Sequence, residues 1–193
     1  MLNTNHNIRI QIDAKGLLSP GNSSSIDVKK LCKIANGDNG PWDQPVSRNF
    51  TSPAPKGGHV TWLGQLFPGQ SGAYDFKFEK LEMDLPPGTQ SKIVEGYEII
   101  GDGKIIKATI KPSVSDSDKE NYMIVFQVTE KSSGESGVFV LDPILRGDTG
   151  SGQAYLIKLL EVLKENYQDL LDDPVLIQKL NDAKEAVENA LNP

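Results

Sequence analysis

Residues 121–129 read NYMIVFQVT, and this stretch decides the fold class. Its large apolar side chains recur at every second position, as Tyr122, Ile124, Phe126 and Val128. Successive side chains of an extended strand point to opposite faces, so the pattern predicts a β-strand with one buried face. Turn-forming residues follow at 132–137, and residues 138–141 return as a second short strand. The chain is therefore predicted to be mainly β.

The same alternation recurs through most of the chain. Residues 74–81 carry aromatic side chains on one face and charged side chains on the other, and residues 7–12 alternate isoleucine with polar residues. A Gly-Asp-Gly turn at 101–103 joins two further strand patterns and predicts a hairpin. Six to eight short strands of this kind are typical of an antiparallel β-sandwich, cupredoxin-like or immunoglobulin-like. Residues 37–58 contain so many turn formers that we expect an irregular loop.

The pattern changes to helical spacing near the C-terminus. Leucines recur three and four residues apart in two stretches, which are separated by a capping Asp173 and by Pro174. The sequence therefore predicts a β-sandwich domain at residues 1–147 and a C-terminal α-helical hairpin appendage at residues 148–193. The apolar face of this hairpin is a candidate interaction surface. Its members are Leu156, Leu159, Leu160, Leu163, Leu176 and Leu180.

Composition bounds the classes of function. The 20 basic and 26 acidic residues give a net charge of -6 without long runs of either sign. Nucleic-acid-binding proteins gather Lys and Arg on one face, so no nucleic-acid partner is expected. No stretch approaches the ~20 apolar residues of a transmembrane helix, so we expect no membrane partner. We also expect no signal peptide, because the first residues lack a basic patch followed by an apolar run. Cys32 is the single cysteine, which favours a reducing compartment, and we expect a cytoplasmic protein.

Motifs that suggest chemistry lack the context that the chemistry needs. Residues 148–151 spell Asp-Thr-Gly-Ser, as in aspartic proteases, but no second copy follows. No Gly-x-Ser-x-Gly elbow accompanies His59. One cysteine and two histidines, the other being His6, do not match the usual zinc or copper sites. We expect no metal, no cofactor and no enzymatic activity, with a hydrolase of unknown class as an alternative.

Two residues are candidates for binding a small ligand. Trp42 lies between a proline and an aspartate in the loop at 37–58, where an exposed ring could stack on a sugar or another flat ligand. His59 opens the next strand and is the second candidate. The alternative function is therefore a small-ligand or carbohydrate-binding β-sandwich that uses this Gly/Pro/aromatic loop.

Three segments together resemble a known family. They are Ile8 to Asp13 (IRIQID), Gly58 to Trp62 (GHVTW), and Glu120-Asn121-Tyr122 with Leu141-Asp142-Pro143. In these the chain is similar to the bacterial inclusion-body protein family of cytoplasmic β-sandwich proteins, in which a Gly-x-Val-x-Trp strand and a closing aromatic-x-Asp-Pro strand recur. The resemblance covers residues 8–145 and implies a non-enzymatic protein that self-associates and accumulates in the bacterial cell.

The leading expectation from the sequence is a non-catalytic protein that acts through self-association or protein–protein interaction. It would form a homo-oligomer, or hold a protein partner, through the apolar leucines of the C-terminal helices. A small ligand is the other partner that the sequence allows.

Overall fold

The structure is a computed structural model that describes residues 5–19, 27–47 and 50–148. Within these residues the chain forms ten strands, one helical turn α1 (Ala14–Leu17) and one 3₁₀ turn (Val28–Lys30). The strands are β1 (Asn5–Ile12), β2 (Cys32–Asn36), β3 (Thr51–Pro55), β4 (His59–Leu66), β5 (Tyr74–Met83), β6 (Val94–Ile100), β7 (Ile105–Ile110), β8 (Lys119–Glu130), β9 (Ser136–Leu141) and β10 (Ile144–Asp148).

The strands form two sheets with one apolar core between them. The first sheet has the order β2-β1-β4-β7-β6. The second has the order β3-β10-β8-β5, and β9 also pairs with β8. Most neighbours are antiparallel, but β1 runs parallel to β4 and β3 runs parallel to β10. Both sheets are therefore mixed.

The predicted antiparallel sandwich is wrong in its strand directions. Alternation indicates which face a side chain occupies, whereas direction depends on the connection between strands. After β1 the chain returns through β2 and visits the second sheet as β3 before β4 comes back beside β1. Because of this long connection, β4 runs parallel to β1. The alternation of residues within a strand does not indicate this direction.

The predicted C-terminal α-helical hairpin is not seen either. Helix in the described residues is limited to α1 and the 3₁₀ turn, and residues 149–193 lie outside them. The six leucines assigned to an interaction surface lie in that same outside range. Their role and the domain boundary at residue 147 stay predictions.

The predicted strands at 7–12, 74–81, 121–129 and 138–141 are confirmed, as is the strand that His59 opens, and β6 and β7 form the predicted hairpin. The loop predicted over 37–58 is wrong in part, because residues 51–55 form β3. Prolines at 53 and 55 suit this strand because it lies at the edge of its sheet, where missing N–H groups are tolerated.

A buried hydrogen bond joins the two sheets among the apolar side chains of the core. Trp62 on β4 and Tyr122 on β8 are fully buried. The Trp62 Nε1–H donates a hydrogen bond to the Tyr122 hydroxyl at 2.9 Å, and the rings meet edge to face with centroids 5.5 Å apart. Burial raises the pKa of Tyr122, so its hydroxyl stays neutral and serves as the acceptor of the indole.

We expect Tyr122→Phe to destabilise the protein by about 1–3 kcal/mol, because the buried Trp62 N–H would lose its acceptor. Urea unfolding followed by circular dichroism measures the change. Tyr97→Phe on β6 is the matched control, since the Tyr97 side chain is 42% exposed and should change stability by less than about 0.5 kcal/mol. Equal losses in both variants would contradict the assigned role.

Candidate interaction surface

β9 and β10 form the return arm of one long hairpin with β8. The register continues without a shift from the Thr129–Ser136 pair to the Lys119–Arg146 pair. On its far side β10 is covered by β3. β9 has no strand on its far side in the part of the chain that the structure describes. We call this far side the open edge of β9.

The open edge presents backbone donors and acceptors at alternate residues. In an antiparallel ladder, hydrogen-bonded pairs alternate with pairs that direct their N–H and C=O groups away from each other. At the hairpin end, the Glu130 N–H donates to the Glu135 carbonyl at 2.8 Å. The odd-numbered residues of β9 therefore bond to β8, and the even-numbered ones point outward. The outward residues are Ser136, Val138 and Val140.

Two of these outward residues also expose apolar side chains. Val138 is 62% exposed and Val140 is 43% exposed. They stand on the outer face of the sheet beside Gln127 and Val125 of β8. On the inner face, Phe139 packs on Phe126 with ring centroids 5.8 Å apart. β9 is therefore anchored on one face and apolar on the face that meets solvent.

The edges at β2 and β3 carry features that discourage pairing with another chain. The outer side of β2 is occupied, because Ile34 and Asp43 exchange two backbone hydrogen bonds of 2.8 and 3.2 Å. β3 contains Pro53 and Pro55, which offer no N–H to an incoming strand.

The edges at β5 and β6 are protected by charge and by bulges. β5 exposes Lys77, Glu79 and Lys80, and its register shifts between Phe78 and Lys80. β6 exposes two glutamates, and its register shifts at residues 94–96. Charged side chains and bulges are the usual means by which edge strands avoid association. β9, with the sequence SGVFVL, contains no charge, no proline and no register shift.

A cleft of about 390 Å³ lies at the Val140 end of β9. Val28, Pro45 and Val46 supply its other apolar lining. Lys29 of the 3₁₀ turn and Asp142 form an ion pair of 2.7 Å at the same place. A chain segment that extends along the open edge would continue into this cleft.

A second cleft, of about 440 Å³, is lined by Ser91, Lys92, Lys111, Asp118 and their neighbours. Its contacts serve the fold. Glu120 is 7% exposed and accepts hydrogen bonds from Ser91 Oγ and the Lys92 N–H, both at 2.6 Å. The Lys111 Nζ donates to the Ser91 carbonyl at 2.6 Å. These bonds fasten the connection between β5 and β6 to the start of β8.

Trp42, the candidate for an exposed ligand contact, is half-buried. The Arg9 guanidinium lies over its ring, 4.5 Å from the centroid. The same guanidinium donates to the carbonyls of Gly37 and Gly40 at 2.8 and 2.7 Å. Arg9 and Trp42 therefore hold the loop against β1, and one face of the indole is occupied.

His59 lies on the outer face of β4, away from Trp42. Its Nδ1 is buried and has no hydrogen-bond partner among the described residues. Arg9, whose guanidinium lies over the Trp42 ring, pairs with Leu63 on β4. Leu63 is four residues along the strand from His59, a distance of about 13 Å. The structure therefore does not bring the two predicted ligand-binding residues together, and neither cleft contains them.

His6 occupies a different environment from His59. It lies on the inner side of β1, where its Nε2 is 3.2 Å from Asn36 Oδ1, and burial lowers its pKa. The structure contains no group of three His, Cys, Asp or Glu side chains placed to hold a metal ion, within the residues that it describes.

Of the comparisons with known proteins, the one with solved structures finds matches. No protein-family model matches the sequence, and no curated protein matches it. Among solved structures, the chain is similar to the crystal structure of the inclusion body protein PixA from Burkholderia cenocepacia J2315. The identity is 12%, the TM-score is 0.42, and the match covers 75% of this chain and 95% of that one. This is the family that the three sequence segments resemble. Across residues 5–19, 27–47 and 50–148, no helix has the length and apolar character that a membrane crossing requires.

The open edge predicts a specific pattern of amide hydrogen exchange. In a monomeric sample, we expect the outward amides of Val138 and Val140 to exchange rapidly, because they bond to solvent. The amides of Phe139 and Leu141 should exchange slowly, because they bond to β8. Residue-resolved exchange by NMR measures this difference. Equal protection of all four amides would show that the edge is covered.

Proposed function

We propose that this chain is a non-catalytic β-sandwich protein that acts by self-association, and that the open edge of β9 is the contact between copies. One observation carries the proposal. Among the edge strands of the described residues, β9 alone has no charge, no proline, no bulge and no backbone hydrogen bond on its outer side, and the 3₁₀ turn lies beside its Val140 end. An unprotected edge strand is a template for pairing with another chain.

The gains from such pairing come from two sources. Each backbone hydrogen bond that replaces one to water contributes about 0.5–1.5 kcal/mol. The Val138 and Val140 side chains lose exposed apolar surface, at roughly 25 cal/mol per Å². These gains are comparable with the ~4–15 kcal/mol cost of association. We therefore expect an assembly whose mass depends on protein concentration.

A second copy fits this edge because the same strand supplies both halves of the contact. In an isologous interface each favourable contact is made twice, once from each copy, so even a short strand contributes several hydrogen bonds. The ligand-binding alternative has no comparable support, since Trp42 is engaged by Arg9 and lies apart from His59.

Substitution of Val138 by lysine tests the proposal. Val138→Lys places a charge on the open edge and removes apolar surface, so we expect the assembly to dissociate. Light scattering of the full chain across a dilution series measures the mass, for which 21.1 kDa is the monomer value. The fold should persist, because a side chain that is 62% exposed makes few core contacts.

Ile100→Lys is the matched control. Ile100 is also an exposed apolar residue on an edge strand, at 40% exposure, and its replacement adds the same charge. This variant should keep the mass of the unmodified chain. The proposal is wrong if the unmodified chain is monomeric throughout the series, or if Val138→Lys leaves the assembly unchanged.

A further inference from the structure

We infer that two copies pair through β9 in antiparallel register centred on Val138, so that Val138 of one copy lies opposite Val138 of the other. This inference rests on the proposed function and specifies its partner and geometry. An antiparallel arrangement follows from symmetry. A twofold axis through Val138 lets each bond made by one strand be repeated by the other.

The positions of the outward backbone groups select the register. Ser136, Val138 and Val140 are the residues of β9 whose N–H and C=O groups face the open edge. When the register is centred on Val138, Ser136 of each copy lies opposite Val140 of the other. All three outward-facing residues then form hydrogen-bonded pairs between the copies. No other register makes as many pairs within the bounds of β9.

The neighbouring registers each lose one of these pairs. A shift in one direction places Val140 opposite Gly134, whose φ is +73° and whose N–H already donates to the Glu130 carbonyl at 2.9 Å. The opposite shift places Ser136 opposite Asp142, which lies outside β9 and is ion-paired with Lys29. Gly134 lies in the turn before β9, and Asp142 lies between the bounds of β9 and β10.

The Val138 register places a carboxylate near the cleft at the Val140 end of β9, whose charged lining consists of Asp27, Lys29, Lys30 and Asp142. The register brings the exposed Glu135 of one copy opposite Leu141 of the other, next to the cleft that holds Lys29 and Lys30. The turn that contains Glu135 would then enter this cleft. Lys30 is 72% exposed and accessible to a second carboxylate, although it already pairs with Asp27. A parallel arrangement would instead leave the acidic turn of both copies at the same end.

The register is measurable by disulfide trapping. Residues in a hydrogen-bonded antiparallel pair have Cα atoms about 5.5 Å apart, within the range of about 4.4–6.8 Å that a disulfide needs. Ser136 and its own copy would lie four residues apart along the strands, or roughly 13 Å, which is too far. Cys32 does not interfere, because it is fully buried and burial raises its pKa to about 12.

The experiment uses the full chain with single cysteine substitutions under mild oxidation, read on non-reducing gels and by mass spectrometry. We expect Val138→Cys to form a covalent dimer with itself. Ser136→Cys and Val140→Cys should not dimerise singly, but a mixture of these two should give the cross-linked heterodimer. Ile100→Cys, an exposed site on β6, measures cross-linking through random collision.

Failure of the register and failure of self-association give different results. If light scattering shows a dimer but Ser136→Cys or Val140→Cys cross-links with itself, the contact is β9 and the register is wrong. If the dimer is present and no β9 cysteine exceeds Ile100→Cys, both the register and the β9 contact are wrong. If the unmodified chain is monomeric, the proposed function itself fails.

Discussion

The hydrogen-bonded ladder along β8 is the constraint on which the second sheet depends. β8 pairs with β5 on one side and with β9 and then β10 on the other. Its inner side chains are the alternating aromatic and β-branched residues of the central core, and Tyr122 among them accepts the hydrogen bond of Trp62 from the first sheet. β8 is therefore hydrogen-bonded to three strands of the second sheet and contributes a buried hydrogen bond to the first sheet.

The break in the return arm of this hairpin creates the open edge. Asp142 and Pro143 interrupt the arm between β9 and β10 without changing its register, and the Tyr122 N–H still donates to the Pro143 carbonyl at 3.1 Å. β3 covers only the part after the break. Earlier in the chain, the Val46 N–H donates to the Lys29 carbonyl at 2.9 Å. β9 is left beside a cleft instead of beside a strand.

Edge strands need protection because their unpaired backbone groups can bond to any other strand. This protein protects its edges by several physical means, including a covering segment at β2, prolines in β3, and charges with bulges in β5 and β6. β9 differs from these edge strands because it contains no charge, no proline and no bulge. An exposed valine is ordinary by itself, but Val138 and Val140 lie together on an edge without charge or proline, and this is the surface through which we propose that copies pair.

The amino-acid sequence by itself determined the mainly β character, most strand positions and which face of each strand is buried. It did so because alternation is a local property that every strand carries in its own residues. The alternation also predicted the strand at 138–141, which is part of β9, but it did not indicate that this strand lies at the edge of its sheet. Strand direction, the half-buried state of Trp42 under Arg9, the separation of Trp42 from His59, and the open edge of β9 were decided only by the tertiary structure. Each of these depends on which distant segments become neighbours, and that is settled by the packing of the whole core.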